Sequence, residues 1–271
     1  MSERADYQTI TYETDGRVAT VTLQRPEKLN AISSELQTEL VAALEHAEAD
    51  PSIHVAVVQG SGRAFSTGYD VTLGGTADGG ATADRAGLER TMRNWLKIWD
   101  LALPIVAKVH GYCLAGGTQL AAFCDVTFVA DDAKVGTPQL PLGAGYVSSI
   151  WTWMVGPRRA KELFFPTGEM ITGAEAAEWG LFNRAVPADQ LDAVVAEYVA
   201  RVAKTPKEIL ALQKLSANRI QDIKGFRQAM LQAVEIDAIA HASPPVRAIN
   251  AHIREHGLPA TIRAFQDGQI P

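Results

Sequence analysis

Twice in this 271-residue chain, a short run of strand-forming residues ends in a glycine turn that opens toward a helical pattern. The first is Val55-Ala56-Val57-Val58, followed by Phe65-Ser66-Thr67-Gly68-Tyr69-Asp70. The second is Ile105-Val106-Ala107, followed by His110-Gly111-Tyr112-Cys113-Leu114-Ala115-Gly116-Gly117-Thr118-Gln119. A helix start leaves its first backbone N–H groups unpaired, and glycine lets another molecule approach them. Two such donors converging from separate strands form an oxyanion hole, which polarises a carbonyl where negative charge develops. The same spacing also suits two tight turns that need glycine for geometry alone. In either case, strands alternating with helices predict an α/β fold with a helical C-terminal section.

Composition narrows the partners. A hydrophobic share of 47% and a charged share of 21% are those of a globular protein. Lys and Arg number 25 against 31 Asp and Glu, and no basic tract exists to bind nucleic acid, so an anionic ligand must meet locally placed cations. The apolar stretches fall short of the ~20 residues that span a bilayer, so no membrane partner is expected. The first residues carry no apolar signal core. Cys113 and Cys124 sit in apolar surroundings and read as reduced core residues of a cytoplasmic protein.

Along the chain, residues 9–13 and 17–23 pattern as a hairpin across Asp15-Gly16. Arg25-Pro26-Glu27-Lys28-Leu29-Asn30-Ala31 forms a loop, and Ser34-Glu35-Leu36-Gln37 is a capping-box pattern opening a helix. Residues 72–87 contain glycine at 74, 75, 79, 80 and 87 and no apolar period, which predicts a mobile loop beside the first glycine turn, where a lid would sit. Leu88, Met92, Trp95, Leu96 and Trp99 mark the next helix, and a Trp-rich helix lies near residues 148–155. Thr172-Gly173-Ala174-Glu175 caps a short helix that Gly180 ends. Thr205-Pro206-Lys207-Glu208 starts another, and from about 187 onward the pattern is helical. This divides the chain into an α/β core over 1–195 and a helical oligomerisation region over 196–271.

Four segments in this order resemble the crotonase superfamily, the enoyl-CoA hydratase/isomerase group. They are the 25–31 loop, Gly60 through Asp70, His110 through Asp125, and Ala176-Ala177-Glu178-Trp179-Gly180-Leu181. The resemblance covers nearly the whole chain. It implies a spiral of ββα units, a homotrimer or dimer of trimers, and a lyase or isomerase that stabilises the enolate of an acyl-CoA or enoyl-CoA thioester. No cofactor is implied beyond the CoA that enters with the substrate, and no metal. Carried over by motif, the oxyanion donors are the N–H groups of Tyr69 and Gly116. Lys28, Leu29 and Ala31, with Arg63, Ala64, Ser66, Gly68 and Asp70, become the walls that hold CoA. Lys28 and Arg63 are the cations for its phosphates, although both also suit a solvated surface.

The sequence departs from that family at two places. Family hydratases put a glutamate three residues after the oxyanion glycine and another just past a proline in the loop after the next strand. Here those places hold Gln119 and Gln139. A carboxylate accepts and returns protons near neutral pH and a carboxamide does not, so ordinary hydration and double-bond shifting lose their usual base. Both amides are expected within a water's reach of the bound thioester. Asp70, Tyr69, Tyr112 and Tyr146 are weighed as replacements, and none is distinguished. The open alternatives are a silent acyl-CoA-binding protein, or an enolate reaction such as decarboxylation or C–C cleavage. His252-Ile253-Arg254-Glu255-His256 matches a zinc-peptidase pattern but has only fifteen residues after it in which to find a third ligand.

Overall fold

The valine-rich runs form the middle of a six-stranded sheet, where burial on both faces favours continuous apolar strands over alternating ones. The computed structural model describes residues 7–71 and 80–271. In the larger sheet the order is β1 (Ile10–Asp15), β2 (Val18–Leu23), β3 (Val55–Gly60), β5 (Ile105–Val109), β7 (Val126–Ala130) and β10 (Arg184–Val186). β1 and β2 are antiparallel, and every later pairing is parallel. β3 is buried throughout its Val55, Ala56, Val57 and Val58 run, whereas β2 hides Ala19, Val21 and Leu23 and turns the residues between them outward.

A second sheet is ordered β4 (Ala64–Ser66), β6 (Tyr112–Leu114), β8 (Lys134–Gly136) and β9 (Met170–Thr172). Its first three strands are parallel, and β9 runs against β8. The chain visits the large sheet, then the small sheet, then a helix, and repeats. Thus β3, β4 and α2 (Gly80–Asp100) are followed by β5, β6 and α3 (Gly116–Phe123), then by β7, β8 and α4 (Ser148–Phe164). This is the expected spiral of strand–strand–helix turns. Each glycine turn therefore closes a strand of the small sheet, and the two turns hang from neighbouring strands.

Several local expectations shift. The hairpin turn is Gly16-Arg17, because Asp15 still pairs with Val18. The cap of α1 (Ser34–Ala49) is Ser33, whose hydroxyl accepts from Leu36 N at 3.1 Å, while Gln37 reaches out to the Thr91 carbonyl. Residues 72–79 of the expected loop lie outside the described residues, and the chain is already helical from Gly80. Arg85 on that first stretch of α2 meets Glu235, which supplies a reason for helix there that periodicity misses. In α4 the backbone breaks at Gly156 (φ 80°) ahead of Pro157, so the Trp-rich helix continues at an angle. Thr172 and Glu175 form the expected reciprocal cap of α5 (Gly173–Glu178).

The C-terminal section is α6 (Leu191–Val202), α7 (Lys207–Ile223), α8 (Phe226–His241), α9 (Pro244–His256) and α10 (Leu258–Gln266). Thr205 does not cap α7. Its carbonyl instead accepts from His54, and Lys207 bonds the carbonyls that end α1. α8 packs along α2, with Phe226 stacked on Trp99 at 4.3 Å. α9 and α10 form a small apolar cluster with Leu140, in which Ile249 and Ile253 are also buried. The loop after β8 is thereby pinned from the C-terminus.

Candidate active site

The first donor turn is held from below by the 25–31 loop. Asn30, fully buried and left-handed (φ 54°), donates to the carbonyls of Ser61 and Ala64 at 2.9 and 2.8 Å and accepts from Arg25 N at 2.9 Å. Ser66 Oγ donates to the Asn30 carbonyl at 2.8 Å, and Thr67 N donates to the Leu29 carbonyl. Ile32 N bonds Gly68 O and Asp70 N bonds Ile32 O, so the Tyr69 N–H points away from this ladder. Arg25 pairs with Asp70 at 2.9 Å and donates to the Ala31 carbonyl; Lys28 stands 3.8 Å from the same carboxylate. Lys28, Leu29, Ala31, Ala64, Ser66, Gly68 and Asp70 are thus gathered at one seam. Arg63 lies exposed on the approach to β4. Nothing near Arg25 in the sequence signals this pairing, because its partner lies 45 residues away.

Gly116 begins α3, where its N–H has no intrahelical acceptor. Among the described residues, no acceptor takes the Tyr69 N–H or the Gly116 N–H. The two turns touch: a Cβ on Gly68 (φ +97°) would lie 2.9 Å from Gly116 N and 2.8 Å from the Ala115 Cβ. Ala115 itself is held at φ 47° and ψ −120°, a conformation that costs an L-residue about 1–3 kcal/mol and that concentrates at functional turns. This arrangement can do one thing chemically. Two backbone N–H groups on touching turns are the arrangement that can hold a single oxygen, provided they converge on it.

Over that pair lies the Tyr69 side chain. A Cβ on Gly116 would come within 2.7 Å of the Tyr69 ring, so only glycine lets the ring lie there. The Tyr69 hydroxyl accepts from Trp95 Nε1 at 2.7 Å and donates to Gln119 Oε1. Gln119 Nε2 in turn donates to the Tyr146 carbonyl at 3.0 Å. Gln119 has no exposed surface, whereas Tyr69 is partly exposed. Tyr146 packs edge-on to Tyr69 at 5.8 Å, and its hydroxyl donates to the Leu88 carbonyl. Burial pushes the Tyr69 phenol well above its ordinary range, outweighing the hydrogen bond from Trp95. Burial likewise raises Tyr146, and the neighbouring Tyr69 adds to it.

The loop carrying Tyr146 is fixed by Asp237 of α8, which accepts from the N–H groups of Ala144, Gly145 and Tyr146 at 2.6, 3.0 and 3.3 Å. His241 Nε2 stands 3.5 Å from Asp237, and its Nδ1 lies 2.8 Å from Asp84. Nothing local in the sequence signals these partners. Gln139 is half-buried, its amide packed on Gly168, and among the described residues no hydrogen bond joins it to Gln119 or Tyr69. Tyr112 and His110 line a separate cavity of about 660 Å³. Burial raises both thiols, Cys113 and Cys124, so neither is a reactive nucleophile. Among the described residues, no cluster fit to hold a metal ion exists, and no helix is long and apolar enough to cross a membrane.

A strand–strand–helix spiral with paired N–H donors at two glycine turns defines a crotonase-type protein. Residues 13–243 match the enoyl-CoA hydratase/isomerase family profile, and the chain belongs to that family of enzymes. Among solved structures, an enoyl-CoA hydratase/isomerase from Xanthobacter autotrophicus Py2 superposes with a TM-score of 0.89 at 36% identity, over 98% of this chain and 99% of that one. An enoyl-CoA hydratase from Mycobacterium smegmatis does so with a TM-score of 0.86 at 37% identity, over 94% and 92%. A hydroxycinnamoyl-CoA hydratase-lyase of Pseudomonas fluorescens is 31% identical over 225 residues, 80% of each chain.

Proposed function

We propose that this enzyme binds an acyl-CoA thioester with its carbonyl oxygen between Tyr69 N–H and Gly116 N–H, and acts through the thioester enolate. The observation that carries this is a pair of N–H groups on touching turns that no acceptor among the described residues takes, in a chain whose relatives are named for acting on CoA thioesters. The seam of Lys28, Leu29, Ala31, Arg63, Ala64, Ser66, Gly68 and Asp70 is where the CoA portion would lie, with Lys28 and Arg63 toward its phosphates. Coenzyme A enters as part of the substrate and no further cofactor is needed. A place in cytoplasmic acyl-CoA or fatty acid metabolism follows from that substrate class.

Among the described residues, the side chains hydrogen-bonded over the donor pair are neutral. Trp95, Tyr69, Gln119 and Tyr146 form one hydrogen-bonded chain. Of the described carboxylates near it, Asp70 is engaged by Arg25, and Asp237 of α8 by three backbone N–H groups. General acid–base catalysis supplies about 10²–10⁴ in rate, so water addition should be slower by that factor than with a glutamate pair. The sealed Gln119 also favours a second reading, a protein that binds acyl-CoA without turning it over. Calorimetry with crotonyl-CoA and longer enoyl-CoAs, beside loss of their conjugated absorbance, separates the two. We expect binding in every case with slow hydration. Binding without any turnover of any thioester supports the second reading, and no binding at all overturns both.

A further inference from the structure

We propose that Tyr69 sets the acyl specificity of this site: its ring closes the interior beside the donor pair, so that short acyl groups are accommodated and the rest of a longer chain is left in water. The inference rests on the acyl-CoA reading above. Its first support is where the ring lies. Its Cε2, Cδ2 and Cζ atoms would stand 2.7, 2.9 and 3.1 Å from a Cβ on Gly116. At the far end of the same ring, the hydroxyl donates to Gln119 Oε1. The ring thus spans from the Gly116 turn to the amide one turn along α3. A thioester oxygen held at the Gly116 N–H brings its acyl carbons against this ring.

Its second support is that the ring is held in place. Trp95 Nε1 donates to the hydroxyl at 2.7 Å, and neither Trp95 nor Gln119 has exposed surface. Gln119 is fixed in turn through Nε2 to the Tyr146 carbonyl. Tyr146 backs the ring edge-on at 5.8 Å, with its own hydroxyl on the Leu88 carbonyl and its N–H on Asp237. Swinging Tyr69 aside would leave the Trp95 N–H and the Gln119 carbonyl buried and unpaired, a penalty that a chain burying one or two methylenes does not offset. Where apolar room exists, each methylene that enters it improves affinity about fourfold. Behind the Tyr69 ring that room is filled by Trp95, Gln119 and Tyr146, and the other side of the ring is partly open to solvent. Long chains are thereby denied the affinity that their length would bring. Glycine at 116 is the complementary half of this closure, since a Cβ there would displace the ring.

The test is calorimetry of the full-length protein with butanoyl-, octanoyl- and dodecanoyl-CoA. For the native protein the three dissociation constants should agree within about fourfold, the effect of a single buried methylene. Tyr69→Ala keeps the backbone donor and vacates the volume of the ring. It should bind octanoyl-CoA about 15-fold more tightly than butanoyl-CoA, the effect of two buried methylenes. Tyr69→Val, a second variant should the first not fold, should give a smaller rise of the same sign. Tyr69→Phe keeps the ring and should stay level across the series. A native affinity that climbs about fourfold with each methylene overturns the specificity role whatever the variants do. Level affinities in a folded Tyr69→Ala protein also overturn it, because another group then closes the site. A Tyr69→Phe series as steep as that of Tyr69→Ala overturns it as well. In each of these outcomes thioesters still bind and the acyl-CoA reading stands. Binding of no thioester by the native protein or the variants removes that reading and this inference together.

Discussion

Gln119 donates to the Tyr146 carbonyl through one amide atom and accepts from Tyr69 through the other, and an ionised carboxylate cannot make the first of these bonds. Gln119→Glu should therefore cost about 1–3 kcal/mol at neutral pH, the usual penalty of an unsatisfied buried acceptor. The introduced acid fits only when protonated, so its folded pKa lies above its unfolded value. The penalty should be smallest below the ordinary carboxylate range and grow as pH rises through the folded pKa, which melting temperatures of both proteins at pH 4 to 8 will show. Ala115 invites the opposite change. Ala115→Gly should relieve its positive φ and raise stability by up to about 1 kcal/mol in urea unfolding, provided the gain exceeds the entropy of an added glycine. At this scale the two glycine turns and the two amides are legible in the sequence, because glycine turns and motif spacing are local. It does not disclose Trp95 or Asp237 as partners. Trp95 reads only as one member of an apolar stripe, and Asp237 lies 91 residues from Tyr146, whose N–H it accepts.

Among the elements, α7 is fastened to the sheet by Lys214, which is buried against Asp125 at 2.8 Å and bonds the carbonyls of Ile98 and Leu103. Burial raises the Asp125 carboxyl, and the lysine beside it only partly offsets this. Lys214→Met should then cost about 3–5 kcal/mol in urea unfolding, because it leaves an uncompensated buried acid, and pairing it with Asp125→Asn should recover much of that loss. Strands were legible because valine and isoleucine cluster in the buried parallel ones. Helix starts were less so: the caps at 34 and 205 follow the right residue types but miss the register, since Gln37 and Lys207 are drawn into tertiary bonds. The start of α2 patterns as loop because its glycines carry no apolar period, whereas its hold on α8 comes from polar side chains distant in sequence.

For the molecule as a whole, α7 exposes Ile209, Leu212, Leu215, Ile220 and Ile223, and α8 exposes Ile236 and Ile239. Spacings of three to four residues gather most of these on one stripe of each helix, an amount of apolar surface that a lone subunit rarely leaves in water. A homotrimer or dimer of trimers would cover it. Light scattering should give a multiple of 29.1 kDa, and Leu212→Glu with Ile223→Glu should shift the mass toward the monomer. The alternation of strands and helices made the α/β class plain in the sequence, while the division into two sheets depends on which strands pair across long gaps. That division has a further effect. The two glycine turns continue adjacent parallel strands, β4 and β6, whose separation is set by backbone hydrogen bonding at about 4.8 Å. The sheet thus acts as a ruler for the two N–H groups proposed to hold the thioester oxygen, calibrated without any side chain. On the proposed function, residues such as Tyr69, Gln119 and Gln139 could be exchanged to redirect the chemistry while the spacing of the two turns stays the same.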